Sequence, residues 1–222
     1  MRLAVVFTKE APVRFVSHLD LQRLFQRAFR RAKLPLAYSQ GFNPHPLVSF
    51  ATALSVGMTS RGEYLDVTLA EEISPEEFIA AVTPVLPEGV RITEVFDMCD
   101  SRSSLTSAMR SASYSAEVRF ERPVPREELD GAVEKLLSGE IVVQKKTKGG
   151  IKPKDIRPMV LELSVVSADG DCAELFIKGV LSAEGGLNPD MLLNELYAVL
   201  GFGGSSSIER LCIEMDRQAL LK

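Results

Sequence analysis

Between Ser17 and Pro35 the chain reads SHLDLQRLFQRAFRRAKLP. Leu21, Leu24, Phe25, Ala28, Phe29 and Ala32 recur at helical spacing, which predicts a helix from His18 to Lys33 with one apolar face. Ser17 stands at its N-cap, and Asp20 three residues on makes a variant of the capping box. Pro35 ends the helix, because a proline bars the residue before it from helical geometry. Upstream, Arg2–Thr8 (RLAVVFT) is a short β-rich run. Downstream, Leu47–Leu54 (LVSFATAL) and Glu63–Ala70 (EYLDVTLA) read as strands. Ser74-Pro75-Glu76-Glu77 opens a second helix, with proline at its first position and acids in its first turn. Val90–Phe96 (VRITEVF) reads as a closing strand, so the order is βαββαβ, the ferredoxin-like arrangement.

The same order recurs further on. Tyr114–Glu121 reads as a strand, Pro125-Arg126-Glu127-Glu128 opens a helix, and Ile141–Lys145 reads as an extra strand. Arg157–Ser167 and Cys172–Val180 form a hairpin over the turn Ala168-Asp169-Gly170-Asp171. A helix from Asn188-Pro189-Asp190 and a strand over Ile208–Met215 complete the set. The expectation is an α+β chain of two tandem ferredoxin-like domains, 1–97 and 114–222, the second with an extra strand. The serine-rich stretch 98–113 is read as their linker.

Composition narrows the function. The chain has 222 residues, 45% hydrophobic and 25% charged, which is ordinary for a globular protein and excludes global disorder. Cys99, Cys172 and Cys212 are odd in number and far apart, which excludes a disulfide framework and a Cys-x-x-Cys metal site. They fit a reducing compartment. No secretory signal opens the sequence. The longest uncharged stretch, Leu34–Ser60, holds three prolines and several polar residues and is a poor membrane span, so a cytoplasmic protein is expected. No metal and no cofactor are implied, since the two histidines lack an evident third ligand.

The net charge of −4 is unevenly spread: residues 1–50 carry +6 and residues 144–157 carry +5. Arg23, Arg27, Arg30 and Arg31 lie on one face of the first helix, opposite its apolar side, with Arg14 just ahead of it. Arginine binds phosphate through two parallel hydrogen bonds and stacks on bases. Lys145, Lys146, Lys148 and Lys152 read as a flexible basic loop able to follow a phosphodiester backbone. An ordinary solvated face or loop accounts for either patch equally simply.

Between helix and strand runs Tyr38-Ser39-Gln40-Gly41-Phe42-Asn43-Pro44-His45-Pro46, with two aromatic rings, two amides, one histidine and no charge. Rings and amides are the groups that stack on and read unpaired bases. The plain alternative is a loop packed on its own side chains. His18, at the helix start beside free N–H groups, is a candidate for hydrogen bonding or proton transfer, as is His45. Ser17 and Asp20 are read as capping groups. The run Gly201-Phe202-Gly203-Gly204 is either a backbone anion cradle or a helix end, the latter favoured.

The stretches Arg14–Leu21 (RFVSHLDL), Arg27–Lys33 (RAFRRAK) and Ala37–Ala51 (AYSQGFNPHPLVSFA), followed by Gly57 and Glu63-Tyr64, resemble the bacterial radical SAM-linked proteins. That family is a domain of unknown function found beside, or fused to, a B12-binding radical SAM protein. The resemblance implies an accessory role to such a partner and carries no catalytic assignment. The chain lacks the three closely spaced cysteines of a radical SAM enzyme. Three functions follow as expectations. The first is a non-catalytic accessory protein that binds or presents RNA or another anionic substrate. The second is a metal-independent ribonuclease using His18 or His45. The third is a protein–protein adaptor without nucleic acid.

Overall fold

The computed structural model describes residues 1–98, 103–147 and 150–220, the side chains of 145–147 excepted. Cys99, Lys148 and part of the expected 98–113 connection lie outside the described residues. The protein is mixed α+β, with largely antiparallel sheet. It divides into two compact units: Met1–Arg110 together with the residues from Cys212 onward, and Ser111–Leu211.

In the first unit β1 (Arg2–Lys9) is followed by α1 (His18–Arg31), β2 (Val48–Phe50), β3 (Thr59–Thr68), α2 (Pro75–Val82), β4 (Ile92–Asp97) and the short α3 (Leu105–Ala108). β1 pairs with β3 on one side and β4 on the other, and β2 pairs with the far edge of β3, all antiparallel. The spatial order is therefore β4-β1-β3-β2. β1 is buried from Leu3 to Lys9, as a strand covered on both faces must be. On its helix side Leu3, Val5 and Phe7 meet Leu21, Phe25 and Phe29 of α1 and Phe78 of α2 in one core. The rings meet in series, Phe7–Phe25 edge-on at 4.7 Å, Phe25–Phe29 tilted at 5.7 Å and Phe29–Phe78 edge-on at 5.6 Å.

The helix ends explain themselves locally. Ser74 and Glu77 form a full capping box: Ser74 Oγ accepts from the Glu77 N–H and Glu77 accepts from the Ser74 N–H. At α1 Ser17 Oγ accepts from the Asp20 N–H, but the Asp20 carboxylate takes the Ser17 hydroxyl rather than its N–H. Aspartate is one methylene shorter than glutamate, so the box expected from the sequence closes only halfway. α1 stops before Pro35. Lys33 sits at φ +55°, its N–H donates to Arg30, and the Leu34 N–H donates to Phe29. This is a Schellman ending with lysine where glycine is usual.

In the second unit β5 (Met109–Phe120), α4 (Arg126–Leu137), β6 (Val142–Thr147) and β7 (Gly150–Asp155) are followed by β8 (Val160–Asp169), β9 (Cys172–Ser182) and β10 (Gly185–Gly186). Then come α5 (Pro189–Leu200) and β11 (Gly204–Met215), whose residues from Cys212 onward belong to the first unit together with α6 (Arg217–Leu220). β9 pairs with β5 from Ser111↔Val180 to Arg119↔Cys172, and with β8 on its other edge. β11 lies beside β5. The order β11-β5-β9-β8 repeats that of the first unit. Two expectations need correction here. The single extra strand is a two-stranded hairpin, β6–β7, forming its own small sheet. The flexible lysine loop is this hairpin: Lys145 faces Lys152 across the ladder. Lysines and glycines disguised strands whose pairing comes from the hairpin register and from its base, where the Ile141 N–H donates to Asp155.

A lysine held in the left-handed region costs about 1 kcal/mol. Lys33→Gly is expected to raise unfolding stability by about 0.5–1 kcal/mol in urea titration, since glycine adopts this conformation without that cost.

Candidate nucleic-acid interface

α1 carries the arginine face outward. Arg23 is tied to Asp20 at 2.9 Å. Arg27, Arg30 and Arg31 are exposed and form no ion pair or hydrogen bond with a described residue. Arg27 and Arg31 are one turn apart, and like charges at that spacing disfavour a helix by about 0.2–0.5 kcal/mol. The C-terminal end of the helix dipole offsets part of this for Arg30 and Arg31. Three guanidinium groups without an ion pair among the described residues therefore stand on one face of the helix, Arg27 also lying within the field of Asp20.

After α1 the chain enters the uncharged loop. Tyr38 and Pro46 bridge, the Ser39 N–H donates to the His45 carbonyl at 2.9 Å, and the Leu47 N–H donates to Ala37 at 2.9 Å. Ser39 Oγ accepts from the His45 N–H at 3.1 Å and lies 2.9 Å from His45 Nδ1. These bonds make a fixed stem. Above it Gln40, Gly41, Phe42 and Asn43 are exposed, and Phe42 is fully so. Gly41 holds φ +130°, a conformation that a side chain would strain. The loop does not pack on its own side chains, which is the outcome the plain alternative required. Tyr38 is half-exposed beside the stem.

His18 and His45 are not brought together by any hydrogen bond or ring contact among the described residues. His45 is bound into the loop stem. The His18 ring is edge-on to Phe50 at 5.1 Å and lines a small enclosed cavity shared with Lys9, Thr52 and Glu63. Arg14 stacks its guanidinium over Phe15 at 4.7 Å. In the hairpin Lys145 and Lys146 fall in β6, Lys152 is exposed in β7, and Lys148 lies outside the described residues. The glycine run resolves as a helix end: Gly201 takes φ +80° after α5, and the Gly203 N–H donates to the Glu121 carboxylate at 3.1 Å. A carboxylate of the same chain fills the place an anion would take.

Sequence reasoning missed Lys9 and Glu63. Both are buried, at 1% and 3% exposure. Lys9 Nζ donates to the Arg14 carbonyl at 2.8 Å and the Met58 carbonyl at 3.4 Å. Burial pushes the Lys9 ammonium below its ordinary value, and the charge of Glu63 partly opposes this. A signal was present: Lys9 continues the inward alternation of Leu3, Val5 and Phe7, so a lysine falls where a core side chain is due. Among the described residues no group of three or more His, Cys, Asp or Glu could hold a metal ion. No helix there is long and apolar enough to cross a membrane.

Comparison with known proteins places the chain. Residues 2–216 match the family described as "uncharacterized protein conserved in bacteria (DUF2344)", and the chain belongs to it. No curated protein matches it in sequence. Among solved structures it is similar to a chain of a Cbf5–Nop10–Gar1 complex, with TM-score 0.59 and 11% identity, covering 96% of this chain and 50% of that one. It is also similar to a chain of an H/ACA RNP bound to a substrate RNA containing 2′-deoxyuridine, with TM-score 0.55, 12% identity and coverage of 96% and 49%. A third, from an archaeal box H/ACA sRNP Nop10–Cbf5 complex, gives TM-score 0.52, 14% identity and coverage of 94% and 46%. The chain spans about half the length of these chains. At such identities the likeness is one of fold.

Lys9→Met is expected to lower stability by about 1–3 kcal/mol in urea denaturation, because the buried Met58 carbonyl loses its Lys9 donor. Between its lowered folded value and 10.5, Lys9 binds fewer protons folded than unfolded. Its contribution to stability therefore rises with pH through that alkaline interval. The rise should be smaller in Lys9→Met.

Proposed function

We propose that the protein is a non-catalytic RNA-binding module that holds or presents an RNA substrate to a partner enzyme. The observation that carries this reading is the set of Arg27, Arg30 and Arg31, exposed and without an ion pair among the described residues, in the same unit as a loop with a fixed stem and a bare aromatic tip. Guanidinium groups supply affinity for the phosphate backbone, independent of sequence. Phe42, Tyr38, Gln40 and Asn43 supply rings and amides for unpaired bases. The β6–β7 hairpin, with exposed Ile151, Lys152 and Lys154, is a second basic surface.

We read both units as ferredoxin-like modules, supported by the order β4-β1-β3-β2 and its repetition as β11-β5-β9-β8. Two of the solved structures of similar fold come from an H/ACA RNP and a box H/ACA sRNP complex, which agrees with the reading and does not carry it. The partner we propose is the B12-binding radical SAM protein implied by the resemblance of residues 14–64, and co-purification from the native source tests that part. His18 and His45 have separate surroundings, so the ribonuclease alternative would use one of them alone, and cleavage of labelled RNA in EDTA by His18→Ala and His45→Ala variants tests it.

Single-stranded RNA binding, followed by fluorescence polarisation, should fall steeply with salt. Arg30→Gln should reduce the slope of log K against log salt by about 0.7, the loss of one phosphate contact on a single strand. Phe42→Ala should cost about 1–3 kcal/mol of binding and leave the slope unchanged. RNA binding that ignores salt in the wild-type protein would remove the reading.

A further inference from the structure

A groove of about 450 Å³ runs along the side of α1, between that helix and the segment Pro84–Pro87 that follows α2. Its size falls within the roughly 300–1,000 Å³ of small-molecule sites. Its two walls differ in chemistry. On the helix side Arg27 and Arg31, one turn apart, present two guanidinium groups that no described acid engages in an ion pair. On the other side Pro84, Val85, Leu86 and Pro87 present an apolar wall. Two prolines in four residues fix the backbone of this wall and remove two N–H donors from it, so an anion finds its partners only on the helix side.

The third element is Asp20, which also lines the groove. Its two oxygens accept from Ser17 at 2.8 Å and Arg23 at 2.9 Å. Those bonds hold its carboxyl below the usual carboxylate range, so it remains an acceptor. A carboxylate has about four lone-pair positions, and two are used here. A ligand of this groove thus carries three features: an anionic group for the arginines, a flat apolar body for the prolines and Leu86, and a hydrogen-bond donor for Asp20. An aliphatic acid offers no donor. An acidic peptide offers no flat ring beside its charge unless its sequence supplies one.

We infer that this groove binds one unpaired nucleotide, its phosphate spanning Arg27 and Arg31, its base against the Pro84–Pro87 wall, and a base amine or ribose hydroxyl donating to Asp20. The inference rests on the RNA-binding reading and deepens it, by giving one nucleotide of the bound strand a defined seat away from the Phe42 loop. A free mononucleotide and a nucleotide within a strand share this chemistry.

The test is a backbone NMR titration of the wild-type protein with AMP, inorganic phosphate and adenosine, beside polarisation binding of a labelled single-stranded hexanucleotide. AMP is expected to shift the amides of residues 24–31 and 85–88 saturably, and to bind at least fivefold more tightly than phosphate or adenosine. Arg27→Gln/Arg31→Gln, and separately Val85→Glu, which places a carboxylate opposite the arginines, should each weaken AMP and hexanucleotide binding at least tenfold. Each variant should keep its spectrum elsewhere. The inference is overturned if AMP shifts nothing in the groove, if phosphate binds as well as AMP (a bare anion site), or if Val85→Glu binds both ligands like the wild type. Hexanucleotide binding unaffected by Val85→Glu would leave the RNA reading standing without the groove. Saturable AMP shifts in the groove with no binding of RNA would leave the groove as a mononucleotide site and remove the RNA reading.

Discussion

A buried ammonium group organises the first unit. Lys9 ends β1 at the place where the strand leaves the core, and its Nζ binds the carbonyls of Arg14 and Met58. Those two carbonyls belong to the approach to α1 and the approach to β3. The Arg14 carbonyl also accepts from the Gly57 N–H, so the two approaches are joined twice. One cation therefore sets where α1 begins relative to β1 and β3. Taking such a charge out of water costs several kcal/mol, which the hydrogen bonds and the nearby Glu63 must offset. An apolar residue would fill the same space but would leave the Met58 carbonyl without its Lys9 donor. The pair thus acts through position rather than net stability, and the start of α1 fixes the direction in which Arg27, Arg30 and Arg31 point.

Helices and strands with strong periodic signals were legible in the sequence: β1, α1, α2 and the hairpin β8–β9 follow from apolar spacing, caps and turn residues. The errors have a common physical cause, which is that pairing energy is invisible in a single strand's composition. Gly150-Ile151-Lys152-Pro153-Lys154 has almost no β character, yet it pairs residue by residue with β6. Met109–Ser113 was assigned to a linker by its serines, and it begins β5, where Ser111 and Ser113 are buried against the β9 ladder. Serine is small enough to lie inside a sheet, so its polarity misleads. The β2 strand shrank to three residues for the opposite reason: its apolar composition promised more than the edge of β3 offers.

For the candidate site, residue types were legible and their relations were not. The arginine face follows from helical spacing alone. The Asp20–Arg23 pair follows from i,i+3 spacing, but that Arg27, Arg30 and Arg31 form no ion pair among the described residues depends on rotamers that no pattern encodes. The loop was legible as an oddity, a long uncharged connection, and its exposure could not be read because a packed loop has the same composition. The groove beside α1 was hidden altogether, since Pro84–Pro87 is separated from Arg27 by more than fifty residues. Lys9 was hidden because lysine at a strand end is usually solvated.

The arrangement of the first unit also bears on what kind of partner it suits. A protein partner would have to bring three carboxylates to Arg27, Arg30 and Arg31, and an apolar surface to a loop whose single large apolar side chain is Phe42. A polynucleotide brings phosphates at regular spacing and rings between them without any special sequence. The overall net charge of −4 argues against unspecific adhesion to polyanions, because the rest of the chain repels them. Positive charge is concentrated in residues 1–50 and 144–157, at +6 and +5, against a net negative remainder. Under the proposed RNA-binding reading, the basic surfaces supply affinity for a polyanion and the exposed rings of the loop favour unpaired bases over a closed duplex, whose ring faces are already stacked.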